Sequence, residues 1–439
     1  MTNSAQHQSW SFNMSPLPAT ASLAMAIVFV LTVVAPSAQA QSFTVLHSFT
    51  GGADGASPAV GLTLDKAGNL YGTASAGGAG YGTVFKLAHS GTGWILNPLY
   101  QFQGGADGAS PVAALVFGPD GSLYGTTQLG GNSPPNCQYI GGETGCGTVF
   151  NLKPPPNRPK SFSNPWLETV IYRFGFWTDG SDPYSEVIFD AAGNLYGTTG
   201  AGGLNGDYVR IDGGGGCGNH CGVVYELSPS NGGWTETTLF QFTQETGSNP
   251  QAGLIFDQAG NLDGITGYEG QEGLGSIFQL QRSSSGWIER TLHSMQWTDG
   301  AYTYSTPILD ASGNLYGGNT GYCCYYGRYD GNVFVLNPTG DFSSIYAFPP
   351  QTGPYAGLTM DAAGNIYGTT EIGGANNYGV VFKLTATGGA WNYTSLHDFA
   401  ASDGCRAMGK VTLDTNGNLY GTTSSCGANG YGTVWEITP

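Results

Sequence analysis

The sequence predicts an all-β protein: a seven-bladed β-propeller of four-stranded antiparallel blades, closed by its own N-terminal strand. Three observations predict it. First, of 439 residues 73 are glycine, only 10% are charged and 13% are aromatic. That composition suits many tight turns joining short strands; a disordered or collagen-like chain would not carry so many aromatics. Second, the motif Gly-Asn-Leu-Tyr-Gly or a near variant begins seven times, at Gly68, Gly121, Gly193, Gly260, Gly313, Gly364 and Gly417. Third, the array starts with a spare strand and ends one strand short.

The first 40 residues read as a leader. An apolar run from Leu23 to Ala35 precedes Pro36 and Ala38-Gln39-Ala40, too short to span a bilayer and matching a signal-peptide core with cleavage after Ala40. No Lys or Arg precedes the run, and Met14 is an alternative start that would give a leader of ordinary length. The expectation is a secreted or periplasmic chain from Gln41, forming a single domain over residues 41–439 with no membrane insertion of the mature chain. Thirty acidic against thirteen basic residues, a formal charge of −17, oppose binding to nucleic acid or to an anionic membrane, both of which need a basic surface.

Each repeat reads as four strands. A short apolar run such as Leu62-Thr63-Leu64 or Val411-Thr412-Leu413 comes first. Asp then opens a turn closing on Gly-Asn, as from Asp65 to Asn69: Asp and Asn bond locally, and Gly supplies a positive φ. Leu-Tyr-Gly-Thr-Thr is the second strand. A Gly-rich loop leads to the third, Gly82-Thr-Val-Phe-Lys-Leu87, and the fourth runs from Trp to Phe, as in Trp94–Phe102. Four strands in about 50 residues is the size of a propeller blade. The segment Phe43–Phe49 matches a fourth strand, whereas the chain stops after a third, Thr433–Ile437. Donating the first to the last closes the ring and removes two sheet edges.

Eight cysteines in an exported chain invite pairing. Cys137 and Cys146 share one loop, Cys217 and Cys221 another, and Cys405 and Cys426 flank one hairpin, so these three pairs are expected. The adjacent Cys323 and Cys324 are expected either joined or reduced. Zinc at Cys217-Gly-Asn-His220-Cys221 lacks a second cysteine pair at finger spacing.

The Asp-x-x-Gly-Asn-Leu-Tyr-Gly-Thr-Thr hairpin with its Gly-Thr-Val-Phe-Lys-Leu strand resembles the GloVer tandem repeat of exported bacterial proteins of the choice-of-anchor type. It is more loosely similar to the hairpins of NHL-type propellers. The resemblance implies an envelope or extracellular repeat protein and brings no reaction and no catalytic residues with it. Since the chain ends at Pro439 directly after a strand, no sorting anchor is expected.

Candidate chemistry gathers on one face, in the loops entering the first strand and joining strands two and three. Asp54, Asp107, Asp179, Asp299 and Asp403 occupy equivalent positions there, with Thr246 and Pro350 in the other two blades. Functionally they would ring the channel mouth and hold Ca²⁺ or sugar hydroxyls; structurally, Asp-Gly before a strand is turn chemistry, and the second reading needs no ligand. Departures from the repeat are better candidates. Where most blades start the inner strand with a small residue, blade three has Glu186 and blade seven Lys410; Tyr184, Tyr304 and Tyr355 lie further out. Such a set suits a small-molecule or glycan subsite, or merely a solvated channel. Asp263 replaces the second-strand Tyr of the six other blades and reads as a decayed repeat. Three histidines, His47, His293 and His397, stand at a fourth-strand position otherwise aromatic. No catalytic triad, zinc-protease or nucleotide motif is present. The expected function is therefore an exported, non-catalytic, monomeric propeller that binds an envelope glycan or an extracellular protein and needs no cofactor. The alternatives are a carbohydrate-active hydrolase or lyase using a mouth carboxylate, and a purely structural envelope protein.

Overall fold

A computed structural model describes residues 41–91, 93–132, 137, 145–155, 166–203, 217, 221–321 and 330–439. Residues 41–439 form one compact unit: seven antiparallel four-stranded sheets in a ring, a seven-bladed β-propeller. Blade one is typical, with strands Thr63–Leu64, Leu70–Ala74, Thr83–Ser90 and Gly93–Gln101. The leader and the Cys323–Cys324 pair fall outside the described residues. Among those described, no helix is long and apolar enough to cross a membrane.

The repeated hairpin is a hydrogen-bonded unit. Asp65 Oδ1 accepts the backbone N–H groups of Ala67 and Asn69, both at 2.9 Å, while Oδ2 accepts Asn69 Nδ2–H at 2.7 Å and the Tyr71 hydroxyl at 3.1 Å. Gly68 turns the chain with φ +79°. Burial opposes ionisation of Asp65, but the bonds from Asn69, Ala67 and Tyr71 outweigh it and hold the carboxyl below its ordinary value. The second glycine of the motif has a packing role. Gly72 faces Phe85 in register, and a methyl group there would come within 2.6 Å of the Phe85 ring. The aromatic ring of the third strand packs against the second strand where that strand has no side chain.

The core lies between blades. Each of the seven hydrophobic clusters found among the described residues draws on two neighbours, as where Leu99 and Phe102 of blade one meet Leu123 and Phe150 of blade two. Threonine side chains add bonds across the same joints. Thr73 donates to the Ala113 carbonyl at 3.0 Å, Thr369 to Gly409 at 2.9 Å, and Thr422 to Val60 at 2.8 Å.

Closure is as the sequence predicts. Ser42–Ser48 pairs antiparallel with Thr433–Thr438 and completes the sheet of blade seven. Phe49, fully buried, then inserts among Leu62, Leu70 and Phe85 of blade one and Tyr420 and Val434 of blade seven. The three expected disulfides are formed, Cys137–Cys146, Cys217–Cys221 and Cys405–Cys426. Each closes a loop within one blade, and none staples the ring.

Candidate functional site

All seven blades send the residues that precede their inner strands to one central mouth. Glu186, Lys410, Tyr184, Tyr304 and Tyr355 converge there, around a cavity of about 70 Å³. That is room for a few waters and not for a sugar ring. Glycines flank the two charges: a Cβ at Gly253 would meet Glu186 Cδ at 3.2 Å, and one at Gly357 would meet Lys410 Cδ at 3.4 Å. The two charged side chains lie over the small residues of neighbouring blades, and among the described residues no side-chain hydrogen bond or ion pair occupies either. Tyr304 and Tyr355 stack at 5.0 Å, and the Tyr304 hydroxyl meets that of Tyr268 at 2.5 Å. Burial raises the pKa of Tyr184, Tyr304 and Tyr355 above that of an ordinary phenol, so all three are neutral donors at physiological pH. Glu186 is the one carboxylate that lines this mouth among the described residues, whereas two-carboxylate glycoside hydrolysis needs a pair.

The bonds of the five aspartates are those of turn residues, the second of the two expected readings. None of Asp54, Asp107, Asp179, Asp299 and Asp403 lines the central cavity. Each closes its own loop and takes a bond from the preceding strand. Asp107 Oδ2 accepts the Gln103 N–H and the Tyr100 hydroxyl, both at 2.9 Å, and Asp179 does the same with Gly175 and Tyr172. In the other three the partner is a histidine: His47 to Asp54 at 3.0 Å, His293 to Asp299 at 2.8 Å, His397 to Asp403 at 3.2 Å. Blade three, with Phe240 and no donor, has Thr246 instead of Asp. That pairing of Tyr or His with Asp, seen once each loop folds back on its own strand, accounts for the three histidines and the five aspartates; Tyr346, with Pro350 at the loop position, is the exception. Among the described residues no cluster of three or more His, Cys, Asp or Glu side chains could hold a metal ion.

The same face carries a feature that residue types alone did not single out. Tyr81, Tyr378 and Tyr431, in the loops before the third strand, and Trp177 and Trp297, in the incoming loops, are 39–47% exposed. These two loop sets touch through bridges such as Ala56 to Ala76 and Cys405 to Ser425. The ring puts these loops on one face. The Tyr322 to Tyr329 stretch lies outside the described residues.

The repeat unit now has a structure: a bonded Asp hairpin, a bare glycine under an aromatic ring, and a core shared with the next blade. The Gloeobacter/Verrucomicrobia repeat model matches residues 31–135, 139–353 and 325–439. The chain belongs to this repeat family. No curated protein matches it. The Gloeobacter/Verrucomicrobia repeat protein is similar in fold to a polysaccharide lyase of the PL25 family, an ulvan lyase, at 12% identity and a TM-score of 0.50, covering 87% of this chain and 94% of that one. It is also similar to PorZ, a surface component of the type-IX secretion system of Porphyromonas gingivalis, at 14% identity and TM-score 0.48, over 86% of this chain and 46% of that one. A third likeness is to a luciferin-regenerating enzyme, at 13% identity and TM-score 0.43, over 91% and 95%. At these identities the likeness is one of fold.

Proposed function

We propose that this repeat protein is an exported, non-catalytic propeller whose loop face binds a glycan of the cell envelope or its surroundings. The observation that carries the reading is that the loops of that face expose five large aromatic side chains, while three more stand half-buried around the mouth. Exposed aromatics in one region mark interaction surfaces, because a flat apolar ring gives contact area at little entropic cost. Glu186 and Lys410, with no side-chain partner among the described residues, supply polar contacts at the centre. The mouth is too small to swallow a sugar, so the ligand lies across it as a chain rather than entering it. Export is supported by the leader and by three disulfides, which persist in oxidising compartments.

Binding of the full mature chain to purified cell-wall and polysaccharide fractions, measured by affinity electrophoresis, tests this. Saturable retention that weakens in Trp177→Ala and Tyr431→Ala supports it. Retention equal in all variants, or binding to proteins only, overturns it. Turnover of a polysaccharide that disappears in Glu186→Gln would replace it with a hydrolase or lyase, and absence of any ligand with a structural envelope role.

A further inference from the structure

A second cavity lies on the opposite, hairpin-turn side of the ring, between blades four and five, and has a volume of about 650 Å³. Its origin is a double departure from the repeat. At other joints the second-strand tyrosine of one blade meets the fourth-strand tryptophan of the next, as Tyr71 with Trp166, Tyr124 with Trp234, Tyr196 with Trp287 and Tyr316 with Trp391. At the joint of blades four and five neither ring is present. Asp263 stands in place of the tyrosine. The last hairpin of blade five is shortened, ending its third strand at Leu336 and starting the fourth at Phe342. Phe342 does not fill the space, because it stacks on His293 and Phe334 instead.

The chemistry of the vacated volume is specific. Asp263, Gln279 and Arg290 are direct cross-strand partners on three successive strands, so their side chains share one face of the blade. Their backbones span about 10 Å, two strand spacings. Gln279 Nε2 donates to Asp263 Oδ1 at 2.8 Å and, more weakly, to Asp257 Oδ2 at 3.3 Å. The carboxylates of Asp257 and Asp310 also line the cavity, but their own turns occupy them. Asp263 is 97% buried, with some solvent access left at Oδ2; among the described residues no hydrogen bond reaches that oxygen, and no hydrogen bond or ion pair holds the exposed Arg290 guanidinium at the rim. Phe256, Leu292 and Leu309 also line the cavity and give it apolar wall. Burying a carboxylate this deeply without a charge-matched partner is costly, and a ligand ammonium would supply one.

We propose that the joint of blades four and five is a binding site for a small zwitterion with an apolar body, its ammonium at Asp263 and its carboxylate at Arg290. The site is independent of the loop face, so either can fail alone. Isothermal titration of the full mature chain with 6-aminohexanoate, hexylamine and hexanoate tests it. Saturable binding of 6-aminohexanoate is expected, with a dissociation constant below about 1 mM and roughly tenfold weaker binding of the two single-ended analogues. Asp263→Asn and Arg290→Gln should each weaken it about tenfold, the usual cost of losing a charged hydrogen bond. Asp263→Tyr restores the ring that fills this place in the other blades; it should abolish binding while melting no lower than the parent. No saturable heat, hexylamine binding as tightly as 6-aminohexanoate, or affinity unchanged in both Asp263→Asn and Arg290→Gln overturns the proposal.

Discussion

Phe49→Ala removes the ring that the N-terminal strand drives between the first and last blades. Phe49 has no exposed surface and packs edge-to-face on Phe85 at 5.2 Å. Truncating a fully buried phenylalanine costs about 3–5 kcal/mol in lost transfer energy and cavity. For a domain of this length, the entropy of unfolding converts that to a melting shift of roughly 4–6 °C. Phe242 is the internal control: it is 1% exposed and packs on Phe278 at 4.9 Å between blades three and four. Phe242→Ala should lower the melting temperature by a similar amount. The two differ in where the structure opens. Phe242 sits in a blade whose strands follow one another in the chain, whereas Ser42–Ser48 is held to Thr433–Thr438 by pairing alone. Hydrogen exchange should therefore speed up across residues 42–48 and 433–438 in Phe49→Ala, below the threshold of global unfolding, and not in Phe242→Ala. A shift under about 2 °C for Phe49→Ala, or exchange at 433–438 that proceeds only through global unfolding, would refute closure as the weak seam. Deleting residues 42–50 is the extreme case and should yield aggregating protein, since Thr433–Thr438 becomes an open edge.

Three further outcomes are expected. Burial pushes the Asp263 carboxyl up to about 7, with Asp257 adding to the effect and Gln279 partly offsetting it. A raised folded pKa means that stability falls as pH rises from about 4 to about 7 and stays low above that, by at most about 4 kcal/mol. Asp263→Asn should thus melt higher than the parent at pH 8 and equally at pH 4, and the same difference at both pH values would contradict this. Asp361 is held below the ordinary carboxyl value, where burial acts upward but bonds from Asn365, Tyr367 and Ala363 prevail; its contribution is present at neutral pH and lost as pH falls through that lowered value. Asp361→Ala should cost about 1–3 kcal/mol in urea unfolding at pH 7, and no change would contradict the hairpin's role. Replacing Cys405 and Cys426 together by serine opens a loop of 21 residues' separation. The loss should be no more than about 3.5 kcal/mol on the chain-entropy account, with the ring intact by circular dichroism; loss of the fold would show that this disulfide holds more than its own blade.

Blade number, strand order and closure were legible because each is local or arithmetic. Asp65 to Asn69 makes a turn from neighbours in the chain, Gly72 must lie under a ring, and a spare strand at Phe43 needs the unpaired edge at Trp435. Glu186 and Lys410 were also legible, as breaks in a repeat whose other copies are small residues. The ligand and turn readings of the aspartates could not be separated in sequence, because the Asp107–Tyr100 bond is visible only once the loop is folded back on its own strand. What tertiary structure alone decided is how residues from different blades share space. Tyr81 and Trp177 form one face only in the ring, and Asp263, which in sequence looks like a worn copy of the motif, opens a cavity only because blade five also lacks its tryptophan. A repeat sequence specifies each unit from within, but the volume between two units depends on both, and no single copy of the motif contains it.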